Sequence, residues 1–112
     1  MNAIEYDTSA KNRYETAKQL RAEGNFASAG YEFNQALSDE SYVKDGLQQT
    51  ADILKILGNE PKAAEYYQKA VAVAPNDITL RLTYAQLLDK LGQEDTSVDE
   101  YNYILSKTTD NK

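Results

Sequence analysis

Glycine recurs in this 112-residue chain at a fixed interval: Gly24, Gly58 and Gly92 stand 34 residues apart. The same period aligns much more than glycine. Ala17, Ala51 and Ala85 lie seven residues before each glycine, Leu20, Leu54 and Leu88 four before, and Asn25, Asn59 and Gln93 directly after. Ala29, Ala63 and Ser97 follow at five, Phe33, Tyr67 and Tyr101 at nine, and Ala36, Ala70 and Ile104 at twelve, trailed by Leu37, Val71 and Leu105. A repeat of roughly 20–50 residues marks stacked supersecondary units, none of which can bury its apolar face alone.

Each unit reads as two helices. Before the glycine the apolar positions recur at three and four, as in Ala51-Leu54-Leu57 and Ala85-Leu88-Leu91, and after it they do so again, as in Ala63-Tyr67-Ala70-Val71. The glycine suits the left-handed backbone that ends a helix, and Asn25 and Asn59 are suited to cap the next one. Pro61 falls early in its helix, where a missing N–H costs little, and Pro75-Asn76-Asp77 separates the second unit from the third. Helices are expected at roughly 9–23, 26–38, 42–57, 60–73, 77–91 and 94–107. The small residues at Ala17, Ala29 and Ala36 and their equivalents let paired helices approach, and the aromatic at Phe33, Tyr67 or Tyr101 fills the adjacent groove.

This pattern resembles the tetratricopeptide repeat family, whose 34-residue unit carries a small residue, a large apolar one, Gly, Ala, an aromatic, Ala and Pro. The second unit fits best, with Ala51, Leu54, Gly58, Ala63, Tyr67, Ala70 and Pro75. The family's early aromatic is replaced by Arg13, Leu47 and Arg81, Ser41 and Thr109 stand where two of the prolines are expected, and Gly30 interrupts a helix. The resemblance covers residues 10–109. It implies an all-α fold, a right-handed α-solenoid of three antiparallel helix pairs. The units are 10–43, 44–77 and 78–111, with an arm at 1–9 and a tail at 110–112.

The resemblance further implies non-catalytic protein–protein interaction, with a peptide or helix of a partner held in a concave groove lined by the first helix of each pair. In the family register the groove residues are Lys11, Tyr14, Lys18 and Arg21 in the first unit, Gln48, Gln49, Asp52 and Lys55 in the second, and Leu82, Gln86 and Asp89 in the third; Asp45, Thr83 and Lys90 share that face. Lys11, Lys18 and Arg21 flank Tyr14 along one side of a helix, a basic strip suited to an acidic stretch or a free carboxylate. On a solvated face Lys11 would instead pair with Glu15. The carboxylate clamp by which some family members hold chaperone C-termini is not expected, because Thr79 and Thr83 stand where its third-unit cations would be.

Solenoids need polar surfaces at their ends. After Leu105 too few residues remain for another helix, so Leu87, Leu91, Val98, Ile104 and Leu105 are expected to leave an apolar strip, a candidate for self-association as a homodimer. Among the nine tyrosines, Tyr31, Tyr66 and Tyr103 are expected near the surface and Tyr67 inside. Ile4 and Tyr6 in the arm are candidates to fold back on the first unit or to reach a second copy.

Composition narrows the function. The chain has 12 Lys and Arg against 18 Asp and Glu, a net charge of −6, which argues against nucleic acid and anionic membranes as partners. With no His and no Cys, a Ser-His or Cys-His nucleophile and a zinc site of those ligands are excluded. Glu94, Asp95, Asp99 and Glu100 crowd the start of one helix, where they complement its dipole rather than face each other across a cleft. No enzyme activity, metal or cofactor is expected. An adaptor or assembly role follows, with a cytoplasmic location as the default because residues 1–7 lack the pattern of a signal peptide. An accessory factor of a bacterial envelope machine for pilus or secretin assembly, periplasmic if a leader has been removed, is the alternative.

Overall fold

The computed structural model describes residues 9–109. Residues 1–8 of the arm at 1–9, with Ile4 and Tyr6, and the tail at 110–112 lie outside the described residues. Six α-helices follow one another: α1 (Ala10–Ala22), α2 (Phe26–Gln35), α3 (Val43–Ile56), α4 (Glu60–Val73), α5 (Ile78–Lys90) and α6 (Glu94–Thr109). They pack as the antiparallel pairs α1/α2, α3/α4 and α5/α6, each pair laid against the next through α2 on α3 and α4 on α5. The radius of gyration is 16.2 Å, against about 13 Å for a globular domain of this length. The stack is therefore elongated, as an open solenoid should be. Among the described residues no helix is long and apolar enough to cross a membrane.

The repeated glycines do what their position requires. Gly24, Gly58 and Gly92 have φ of 84°, 87° and 78°. The residue after each glycine donates its backbone N–H five residues back, Asn25 to Leu20, Asn59 to Leu54 and Gln93 to Leu88, at 2.8–2.9 Å. That is the Schellman closure of a helix end. It corrects the expectation for the asparagines: neither Asn25 nor Asn59 makes a side-chain cap, and their role is the backbone bond. True side-chain caps come from Ser9 to Asn12 N–H and Asp77 to Leu80 N–H.

The small residues sit at the crossings as expected. Ala17, Ala29, Ala36, Ala51, Ala63, Ala70 and Ala85 are fully buried, with Ser97 in the third unit, and so are Phe33 and Tyr67. The main departure lies between the first two units. α2 ends at Gln35, and the chain turns through two 3-10 segments, Ala36–Ser38 and Glu40–Tyr42, before α3 begins. Close approach here needs Gly46. A Cβ on it would stand 2.7 Å from Leu37 Cδ2 and 3.3 Å from the Phe33 carbonyl oxygen.

Leu87 does not belong to an apolar edge. It is buried in the central cluster with Leu47, Tyr67, Leu80 and Leu88, because its side of α5 faces α4 rather than α6's outer surface. Val98 and Leu105 are about half exposed, and Leu91 and Ile104 are half-buried.

Candidate functional site

The face carried by α1, α3 and α5 is built from hydrogen bonds between neighbouring first helices. Tyr14 on α1 donates its hydroxyl to Asp45 on α3. Two turns further along α1, Arg21 donates to Gln49 and lies 3.7 Å from Asp52. Asp52 accepts in turn from the Tyr67 hydroxyl, which reaches through from α4. Lys55 covers the Tyr67 ring with its ammonium 5.7 Å from the centroid. Four of the residues expected in the groove (Tyr14, Arg21, Gln49 and Asp52) are thus held by two sets of bonds between the first two units, with Lys55 against the Tyr67 end of the second set.

Tyr14 is the best-held side chain of that face. Its ring stacks on Tyr42 at 4.8 Å, meets Phe33 edge-on at 5.7 Å, and carries the Lys18 ammonium at 5.0 Å. The bond to Asp45, with partial burial second, pushes its pKa up to about 12. The basic strip expected on α1 is largely engaged: Arg21 is paired across to α3, and Lys18 pairs with Glu15 at 3.3 Å, in place of the Lys11–Glu15 pair. Lys11 is exposed.

Between the second and third units the face opens into a recess of about 350 Å³, lined by Lys55, Thr83, Gln86 and Lys90, with Glu60 and Leu87 at its walls. Lys90 reaches Glu60 at 2.6 Å. Leu82 stands exposed beside it and Gln48 is half-buried. Asp89 is turned away to its own pair, accepting from Ser97 at 2.7 Å and Tyr101 at 3.0 Å. The bonds linking the first two units are therefore not repeated in the third.

The departures at the early aromatic position have a shared explanation. Arg13 pairs with Glu32 at 3.0 Å, and Arg81 with Glu100 at 2.7 Å. Both join the first helix of a unit to its second at the same register. Arg81 also donates to the Pro75 carbonyl at 2.7 Å and stacks on Tyr103 at 3.6 Å. In the middle unit the same two positions hold Leu47 and Tyr66, which belong to the apolar core.

Sequence reasoning missed Tyr42, the Tyr67 hydroxyl and the Lys90–Glu60 pair. It also missed a second depression, an apolar groove of about 300 Å³ between α2 and α4, floored by α3. Its signal was present: Gly30 and Thr50 are small where the next unit has Ala64 and Tyr84. Tyr31 is exposed at its rim, as expected, while Tyr66 and Tyr103 are half-buried. Among the described residues no group of three or more carboxylates gathers to hold a metal ion.

No protein-family model matches the chain, and no curated protein matches it in sequence. Solved structures do match. A crystal structure of MamA is 20% identical, with a TM-score of 0.81 over 93% of this chain, and a crystal structure of MamA protein is 20% identical, with 0.77 over 89%. This chain spans 61% and 55% of the length of those two chains. At such identity the likeness shows the helical-repeat fold and nothing of a partner.

Proposed function

We propose that the chain is a non-catalytic interaction module of tetratricopeptide type, and that a peptide or helix of a protein partner lies along the face of α1, α3 and α5. The observation that carries this reading is the pair of cross-helix links, Tyr14 to Asp45 and Arg21 to Gln49 and Asp52, which fix polar side chains of two units before any partner arrives. Pre-ordered groups lower the entropy cost of association. Around them Lys11, Lys18, Lys55 and Gln86 are exposed, and the exposed cations favour a partner with acidic character. An adaptor or assembly role fits such a surface.

The test separates binding from folding. Tyr14 and Arg21 hold the units together, so the variant is Lys18→Glu/Lys55→Glu/Gln86→Ala. Affinity capture from the native extract is run with wild type and variant side by side, and thermal melts confirm that both are folded. A protein retained by wild type and lost by the variant supports the reading. Equal retention by both would overturn it.

A second reading has its own observation. Val98 and Leu105 expose about half of their surface on α6, an arrangement suited to self-association. Sedimentation over a range of concentrations should then show a rising mass that Val98→Glu/Leu105→Glu abolishes, and a constant mass for wild type would remove this reading.

A further inference from the structure

The apolar groove between α2 and α4 stands apart from the face of α1, α3 and α5, on the side of α3 turned toward the second helices. Its floor is Ile53, Leu54 and Leu57, and its volume of about 300 Å³ is at the lower end for pockets that hold a ligand group. Its two walls are bridged where Tyr66 donates to Asn34 at 3.2 Å.

Three observations show that the groove is more than a packing seam. The first is Thr50. It lines the groove, is 5% exposed, and its hydroxyl has no hydrogen-bond partner among the described residues. Its short side chain leaves room where a large one would fill the groove, although a buried polar group without a partner costs stability. The second is a comparison inside the molecule. One repeat further on, the positions of Gly30 and Thr50 are held by Ala64 and Tyr84, both buried, so the same place in the next seam is filled by side chains. Gly30 keeps the first seam open although glycine disfavours a helix interior. The third is charge. Lys62 is the charged residue lining the groove, it is exposed, and among the described residues no ion pair holds it, in a chain of net charge −6. The equivalents of Tyr31, Lys62 and Tyr66 in the next seam are Glu65, Thr96 and Glu100. The first seam thus offers two tyrosines and a lysine where the second has Glu65, Thr96 and a Glu100 already paired with Arg81.

From this we infer that the α2–α4 groove is a second docking site, taking a segment of a protein partner that inserts one large apolar side chain between Tyr31 and Tyr66 and sets a neighbouring carboxylate against Lys62. The inserted group lies on the Ile53 and Leu57 floor. Charge complementarity selects an acidic partner segment over a basic one. The site does not depend on the face of α1, α3 and α5, and it stands or falls separately.

The probe is a capped pentapeptide with one phenylalanine between glutamates, titrated into the full chain and followed by NMR of the Ile53, Leu54 and Leu57 methyl groups. Wild type is expected to show saturable shifts at those methyls. Lys62→Glu is expected to bind about fivefold more weakly, the scale of one exposed ion pair, and Gly30→Leu, which fills the groove, to bind not at all. Lys62 is a surface residue, so its variant keeps the test decisive should Gly30→Leu fail to fold. The inference is overturned if the methyls do not move, if a peptide with alanine in place of phenylalanine moves them equally, or if Lys62→Glu binds as tightly as wild type. It is also overturned if free 3-phenylpropionate saturates the groove and the peptide does not, which would assign it to a small carboxylic acid. Shifts that grow with protein concentration alone would assign it to a second copy, with the same consequence.

Discussion

A phenol that donates to a carboxylate is held neutral, and this chain does so repeatedly. Tyr14 is pushed up to about 12 by its bond to Asp45. Tyr67 is raised further, by burial first and by Asp52 second, Tyr101 is raised by its bond to Asp89, and Tyr84 chiefly by burial. In the unfolded chain each phenol titrates near about 10. The folded protein therefore holds more protons above that pH, and stability falls as pH rises through the window from about 10 to about 12, having been fully present below it. Thermal melts should show a midpoint that is steady at neutral pH and declines steeply beyond about pH 10, with a shallower decline in Tyr14→Phe. A midpoint insensitive to alkali would show that these bonds are not formed. Thr50 gives the opposite kind of prediction. Its hydroxyl is buried with no partner among the described residues, so Thr50→Val should raise the stability of the free chain by about 1 kcal/mol, read from the urea midpoint.

At the scale of the element, the unit is a helix pair and its two faces were unequally legible. The period of 34 carried the helices, their order and the buried alanines, because those follow from local spacing. The Schellman closures at Gly24, Gly58 and Gly92 follow equally from local sequence, and Gly58→Ala, forced to keep φ near 87°, should cost about 1–2 kcal/mol by the same urea assay. The bonds of Tyr14 to Asp45 and Arg21 to Asp52 were not legible. They join residues about one repeat apart in sequence, and which pair meets depends on how far one helix slides on the next. Gly46 was missed for a related reason, since its neighbour Leu37 comes close only through the 3-10 turns. The Arg81–Glu100 pair offers a test of unit equivalence. Both side chains are largely buried, 12% and 15% exposed. Removing one partner strands the other charge, and Arg81→Leu alone should cost about 3 kcal/mol. Arg81→Leu/Glu100→Tyr, which copies Leu47 and Tyr66 of the middle unit, should recover most of that loss. A double variant no more stable than the single one would mean that the units are not interchangeable at this register.

At the scale of the whole molecule, the main contacts among the described residues run between neighbouring helices, so stability is distributed along the stack as a chain of helix-pair and interface contributions. The larger core cluster is supplied by α3, α4 and α5, from Leu47 to Leu88, whereas α1 and α2 share a smaller one completed by Ile53. Among the described side chains of α6, Ser97 alone is fully buried, and the outer surface of that helix exposes Val98 and Leu105. Local opening should follow this gradient. Amide hydrogen exchange is expected to find the strongest protection in α3, α4 and α5, intermediate protection in α1 and α2, and the weakest in α6, which is tied to the rest by Arg81 with Glu100 and Tyr103, by Asp89 with Ser97 and Tyr101, and by Asn76 with Tyr103. The same measurement discriminates what covers the end of the stack. In dilute solution α6 should exchange well ahead of α3. If a second copy covers Val98 and Leu105, protection in α6 must rise with protein concentration and fall back in Leu105→Glu. Uniform protection along all six helices at every concentration would contradict the gradient, because it would require α6 to be as deeply tied as the centre of the stack.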